Sequence, residues 1–392
     1  MARKILVTIG GLLLLILLLI WVYLLVFSTP GETIRWFTGD INEPTPVTEN
    51  TETNVTNQLA TPNSVLYQLT TKSVAGYGLV ASAKNTATST TDYKLLYAET
   101  GTGHVYEVDL KTFVETRISG VTVGQTVSAH FAPNGEAYVL TSEQGNVTES
   151  VLYLLNTKPE KYTDLPTNSQ HFYFTEKNTL YYTVVENGQT VAYELDWNNV
   201  EKNTLWSVPL TQINVIWTSA GVLINNKISS GLKSGVYTLN NGNLSQIVSP
   251  KLALSMVVDR TGQTIWYSYF DNLTKNITGA LIDRSGSEIR TSPLPAIPEK
   301  CFLNPEKKSV CSVSAFLLSG DSNEINSWYR GEITSDDRLW VETDTGVVYE
   351  ANLAELAGFT LDATAVTPTP GYDAFYFVNK TNRTLWRYQF ED

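Results

Sequence analysis

An all-β fold of repeated four-stranded units, preceded by one transmembrane helix, is what the 392-residue sequence predicts. Three observations predict it. Residues 5–27 form an uncharged apolar run directly behind Arg3 and Lys4. From residue 64 onward, short runs rich in Val, Ile, Tyr, Phe, Trp and Thr alternate with Gly/Asn/Asp/Pro clusters, with almost no apolar pattern at helical spacing. One short strand-like phrase recurs at intervals of roughly 40–47 residues, the repeat length of a β-propeller blade.

The N-terminal run is long enough to cross a bilayer. At ~1.5 Å per residue it reaches about 34 Å, against a hydrocarbon core of ~30 Å. No basic residue follows until Arg35, so the positive-inside bias places residues 1–4 in the cytoplasm and the rest outside, a single-pass signal anchor in the cell membrane. A cleaved signal peptide would have a shorter apolar region and a small-residue cleavage site, and VFSTPG is a poor one. Residues 28–63 read as a flexible stalk. Its Thr, Asn, Glu and Pro cannot bury enough apolar surface to offset the entropy of ordering.

In residues 64–392 the recurring phrase is HVYEVDL (104–110), VLYLLNT (151–157), VAYELDW (191–197), GVYTLNN (235–241), GALIDRS (279–285), RLWVETD (338–344) and TLWRYQF (384–390). Upstream of most instances lies a strand, turn and strand, as in AHFAPNGEAYVLT (129–141). The predicted units start near residues 74, 128, 169, 213, 253, 298 and 362, giving seven four-stranded blades. Six or eight would also fit, because INSWYRGEITSDD could hold an extra hairpin. The last unit lacks a fourth strand, and SVLYQLT (64–70) is an orphan. Pairing the two would close the ring and remove two open sheet edges. Cys301 and Cys311 flank a hairpin centred near Glu306, which would set them opposite each other at a separation suited to a disulfide on the oxidising side of a membrane.

Phrases such as SAHFAPNGEAYVLT resemble WD-repeat-like propellers of the Tol type. TGTGHVYEVDL, LPAIPEKCFLNPEKKSVCSVSA, NSWYRGEITSDDRLW and AFYFVNKTNRTLWRYQ resemble, more narrowly, a family of single-pass, membrane-anchored propellers of candidate-phylum bacteria. The resemblance implies a fold and a topology. It implies no catalytic residue, so none is carried over.

Composition excludes several chemistries. After residue 27 the chain carries 25 basic and 39 acidic residues, which argues against a nucleic-acid partner. Two Cys and three His cannot build a zinc array or an iron–sulfur cluster alone. No G-x-S-x-G elbow, paired-carboxylate phrase or phosphate loop is present. Asp344 begins a partial Asp box that fails at Glu342. His130 and His171 stand in first strands, which face the axis of a propeller and would bring them near each other, although a structural role is the plainer reading. No catalytic, metal or cofactor residue is therefore assigned. Trp328 and Tyr329, in an irregular insertion, form a candidate binding surface, with packing under a long loop as the alternative. The expected function is a non-enzymatic protein-interaction platform at the cell envelope, with a protein partner on a propeller face. The alternative is a carbohydrate-binding or glycoside-cleaving propeller.

Overall fold

The computed structural model describes residues 64–81, 92–155, 157, 160–229, 231–240, 242–292, 294, 297–314, 322–343 and 345–391. They belong to the second of two compact units, Gln58–Asp392. The expected membrane helix, the stalk and Asp344 lie outside the described residues. No helix among the described residues is long and apolar enough to cross a membrane.

The described residues form antiparallel sheets that follow one another along the chain. The first sheet contains β2 (Val74–Ala81), β3 (Tyr93–Glu99), β4 (Val105–Val108) and β5 (Glu115–Arg117). The second contains β6 (Thr126–Phe131), β7 (Ala137–Gln144), β8 (Val147–Leu154) and β9 (Lys161–Asp164). The third contains β10 (Gln170–Phe174), β11 (Thr179–Glu186), β12 (Gln189–Asp196) and β13 (Glu201–Val208). A seven-stranded sheet follows, with β14 (Ile213–Thr218), β15 (Gly221–Asn226), β16 (Lys233–Asn240), β17 (Asn243–Val258), β18 (Thr264–Asp271), β19 (Asn276–Asp283) and β20 (Glu288–Ser292). Next come β21 (Cys301–Leu303), β22 (Ser309–Ser314), β23 (Asp337–Thr343) and β24 (Gly346–Asn352). The last sheet joins β25 (Ala363–Pro368), β26 (Ala374–Asn379) and β27 (Leu385–Gln389) to β1 (Leu66–Gln68). The orphan strand therefore closes the structure as expected, with Leu66, Tyr67 and Gln68 opposite Tyr388, Arg387 and Trp386.

The recurring phrase marks β4, β8, β12, β16, β19, β23 and β27, the strand after each central one. Its apolar and aromatic positions pack between successive sheets. Val139 and Leu152 of the second sheet meet Leu180, Tyr182 and Leu195 of the third. Leu339 of the sheet that begins with β21 meets Phe375, Phe377 and Trp386 of the last. A single sheet buries one face only against its neighbour, so the pattern must recur in every unit.

The first strands line up side by side. β2 packs on β6, β6 on β10, β10 on β14, the later part of β17 on β21, and β21 on β25. Ile216 of β14 packs with Leu254 and Met256 of β17. Tyr77 of β2 returns to β25 through its hydroxyl, which donates to the Ala365 carbonyl. These strands thus surround an axis. Gly76 permits the approach of β2 to β6, since a Cβ there would overlap the Ala129 carbonyl.

Cys301 and Cys311 are a directly opposed pair on β21 and β22 and form a disulfide. The insertion between β22 and β23 corrects the sequence reading. It holds helix α1 (Ser322–Tyr329), where the sequence allowed an extra hairpin. Ile325 and Trp328, three residues apart, both enter one apolar cluster with Ala253, Phe270 and Ile297. A second short helix, α2 (Leu353–Ala357), is capped by the Asn352 side chain and by Gly358 at φ 77°.

Candidate functional site on the axial face

In each four-stranded antiparallel sheet the first strand starts, and the second ends, at the same edge of the ring. The connection between sheets is made there too, so one face collects the starts of all first strands. His171 at the start of β10, Lys227 after β15, Glu299 before β21 and Tyr329 between β22 and β23 share that face.

Three first strands carry a non-glycine residue in the left-handed region at a register shift. They are His171 (φ 54°) between paired Gln170 and Tyr173, Ala253 (φ 49°) between Leu252 and Ser255, and Ala365 (φ 52°) between Thr364 and Thr367. Such backbone costs roughly 1–3 kcal/mol per residue and persists only where the surroundings enforce it. At His171 they do. Its carbonyl accepts a hydrogen bond from the Trp217 indole of β14 at 2.7 Å.

The Thr183 hydroxyl lies 2.7 Å from His171 Nδ1 and 3.2 Å from the Gln170 carbonyl, which couples the imidazole tautomer to the orientation of that hydroxyl. With the hydroxyl donating to the carbonyl, Nδ1 carries the proton and Nε2 keeps the lone pair that a general base requires. Desolvation lowers the His171 pKa to about 4, helped by the nearby charges of Lys227 and His130. The imidazole is neutral at pH 7.

His130 combines two properties. It is exposed to water, yet desolvation lowers its pKa to about 4. Both hold when a side chain faces a solvent space walled by protein, which here is the axis. Its ring lies 5.3 Å from that of Phe172, next to His171, and the two histidines are close enough to sense each other's charge, as their places in first strands suggested. Because His130 stays neutral in the fold but protonates near its ordinary pKa once unfolded, its contribution to stability is present above about pH 6.5. That contribution is lost as pH falls toward 4. His130→Gln is expected to flatten the decline of Tm between pH 6.5 and 4; an unchanged slope would show that His130 is hydrated as freely as in the unfolded chain.

Glu299 shows the same pairing of exposure and desolvation, which raises its pKa. The Tyr329 hydroxyl donates to Glu299 Oε2 at 2.5 Å. Tyr329 is 36% exposed, whereas Trp328 is 3% exposed. The expected binding pair thus divides: Trp328 packs beneath the insertion, and Tyr329 reaches the axial face. Sequence reasoning missed Glu299 altogether, since a charged residue in PEKC looks like any solvated turn.

Among the described residues no three His, Cys, Asp or Glu side chains converge to hold a metal ion. Asp337 and Asp362 are fully buried and paired with Lys300. The neighbouring Glu299, by contrast, is exposed and accepts the Tyr329 hydroxyl.

No family model and no curated protein matches the chain. Solved structures do. The oligogalacturonate lyase of Vibrio parahaemolyticus is similar at 11% identity and a TM-score of 0.56, covering 83% of this chain and 94% of that one. An oligogalacturonate lyase solved in complex with manganese is similar at 12% identity and a TM-score of 0.55, covering 83% of this chain and 93% of that one. Both neighbours are enzymes, and the axial face here carries accessible titratable groups. The expectation of a non-enzymatic interaction platform is corrected accordingly. At this identity the likeness establishes architecture: the described residues are an all-β assembly with the fold of β-propeller proteins.

Proposed function

We propose that this chain is a membrane-anchored, extracytoplasmic propeller that binds and cleaves an acidic carbohydrate of the cell envelope. The observation that carries the reading is His171, a neutral imidazole with Nδ1 engaged by Thr183, set on the axial face beside the cation of Lys227. Asp337 and Asp362 are sealed and do not serve as a hydrolytic carboxylate pair. A histidine base suits elimination instead. It takes the proton next to a uronate carboxylate, the bond to the glycosidic oxygen breaks, a carbon–carbon double bond forms, and water protonates the leaving oxygen. Lys227 would attract the uronate. Glu299, whose pKa is raised by desolvation, stands on the same face. The names of the similar solved lyases support the same substrate class.

The seven-stranded sheet reads as two blades sharing β17, whose earlier residues pair with β16 and later ones with β18. The count is then seven. The disulfide supports an oxidising compartment. The anchor and the stalk in this reading are residues 5–27 and 28–63.

The test is incubation of the full-length chain with uronate-containing and neutral polysaccharides, following the ultraviolet absorbance of the unsaturated product. Absorbance should rise with uronates alone. Binding without absorbance would reduce the reading to a carbohydrate-binding propeller, and neither binding nor turnover would sink it.

A further inference from the structure

We propose that the sealed ion cluster around Lys300 is a positioning device that sets the Glu299–Tyr329 pair on the axial face. This deepens the reading of that face as the carbohydrate site, but its test needs no carbohydrate. Both members of the pair are chain neighbours of anchored residues. Glu299 precedes Lys300, and Tyr329 follows Trp328.

The anchors are held from many sides. Lys300 Nζ lies 2.6 Å from Asp337 Oδ2 and 2.5 Å from Asp362 Oδ1, with all three side chains 0% exposed. Asp337 also accepts from the hydroxyls of Ser312 and Ser314, each at 3.1 Å, and from the Ala363 N–H at 2.8 Å. Asp362 accepts the Trp328 indole N–H at 2.9–3.0 Å and the Ser335 N–H at 3.2 Å. Lys380 sits 3.7 Å above the Trp328 ring and donates to the Trp328 carbonyl. Trp328 is thereby fixed by its N–H, its ring face and its backbone.

A buried ion cluster is a poor source of net stability, because desolvation offsets most of the attraction and apolar replacements often do as well. What such a cluster supplies is one geometry, since its donors and acceptors satisfy one another together in a single arrangement. Here that geometry joins the turn before β21, helix α1 and the starts of β23 and β25. Its output on the axial face is the Tyr329 hydroxyl meeting Glu299.

The experiment reads the Glu299 carboxyl directly. The full-length chain is labelled with carboxyl-13C glutamate, and Glu299→Gln assigns the resonance. The titratable and charged groups that act on Glu299 are Tyr329 and Lys300. The Tyr329 hydrogen bond favours the carboxylate, so Tyr329→Phe is expected to shift the titration upward. Trp328→Phe and Lys380→Met should shift it the same way, and neither should shift it further in the Tyr329→Phe background. Lys380→Met, at a half-buried side chain, carries the test if Trp328→Phe does not fold. The proposal is overturned if Tyr329→Phe has no effect, if the two anchor variants leave the titration unchanged, or if their shifts persist in full without the phenol. A chain that cleaves no carbohydrate but shows the predicted titrations would sink the functional reading and leave the positioning intact.

Discussion

Replacing His171 with asparagine is expected to lower carbohydrate cleavage by about 10²- to 10⁴-fold, the range for loss of a general base, while Tm and glycan binding stay near wild type. Asparagine is chosen because residue 171 sits at φ 54°, a region that asparagine tolerates and that bulky or β-branched residues do not. The Trp217 indole would still find the carbonyl of residue 171, so the bulge would be kept. What disappears is the lone pair at Nε2. The pH profile supplies the sign. A base works only when deprotonated, and the His171 pKa is lowered to about 4 by desolvation first and by Lys227 and His130 after it. The kcat/KM of the wild type should therefore climb through about pH 4 and be level at neutrality. Lys227→Met removes one of the depressing charges, so its acidic limb should move to higher pH, and its KM for a uronate should rise. Full turnover in His171→Asn would remove histidine from the chemistry.

Architecture was far more legible in the sequence than the site. The phrase that begins HVYEVDL is readable because its apolar positions serve one purpose, packing between sheets, and the same packing recurs in every unit. The Cys301–Cys311 pair was readable because a hairpin centred at Glu306 leaves little freedom in which residues oppose each other. Helix α1 was not, since Ile325 and Trp328 are the buried anchors among its described side chains and such a pair does not stand out as periodic. Trp328 was misplaced for a related reason. Its N–H finds Asp362, 34 residues further along the chain, and nothing near it in sequence announces that partner. Lys300 is harder still, because a lysine is read as exposed unless its counter-ions are known, and Asp337 starts β23 whereas Asp362 lies just before β25. His171 was noticed as a first-strand residue. Its chemistry depends on a one-residue bulge and on the donor order through Thr183, and neither has a sequence signature.

Removing residues 64–70 should lower Tm by about 4–8 °C and expose the chain to aggregation. β1 supplies the outer strand of the sheet that also holds β25, β26 and β27, although it is the first strand among the described residues. Its backbone is tied at both ends, with Gln389 N–H donating to the Val65 carbonyl at 2.7 Å and Leu69 N–H donating to the Leu385 carbonyl at 2.8 Å. Tyr67 is buried, 5.1 Å from the Phe113 ring of the first sheet, so the strand holds the two ends of the ring together as well as completing the last sheet. Fully burying one large apolar side chain is worth ~1.5–3 kcal/mol, and 1 kcal/mol moves Tm by roughly 2–4 °C in a domain of 150–250 residues. In this larger unit each kcal/mol moves Tm less, so the loss of Tyr67 and of the β1 ladder together make up the expected shift. The deletion also leaves β27 as a bare edge, a template for pairing with another molecule. Tyr67→Ala separates the two effects: it should lower Tm without promoting aggregation, because the ladder to β27 survives. A synthetic peptide of residues 64–70 added to the deleted protein should restore part of the lost stability in proportion to its concentration. A deletion that left Tm unchanged and the protein monomeric would show that the sheet of β25, β26 and β27 holds without its fourth strand. The ring would then have to be closed by contacts such as Tyr77 to Ala365 rather than by the first and last described strands meeting in one sheet.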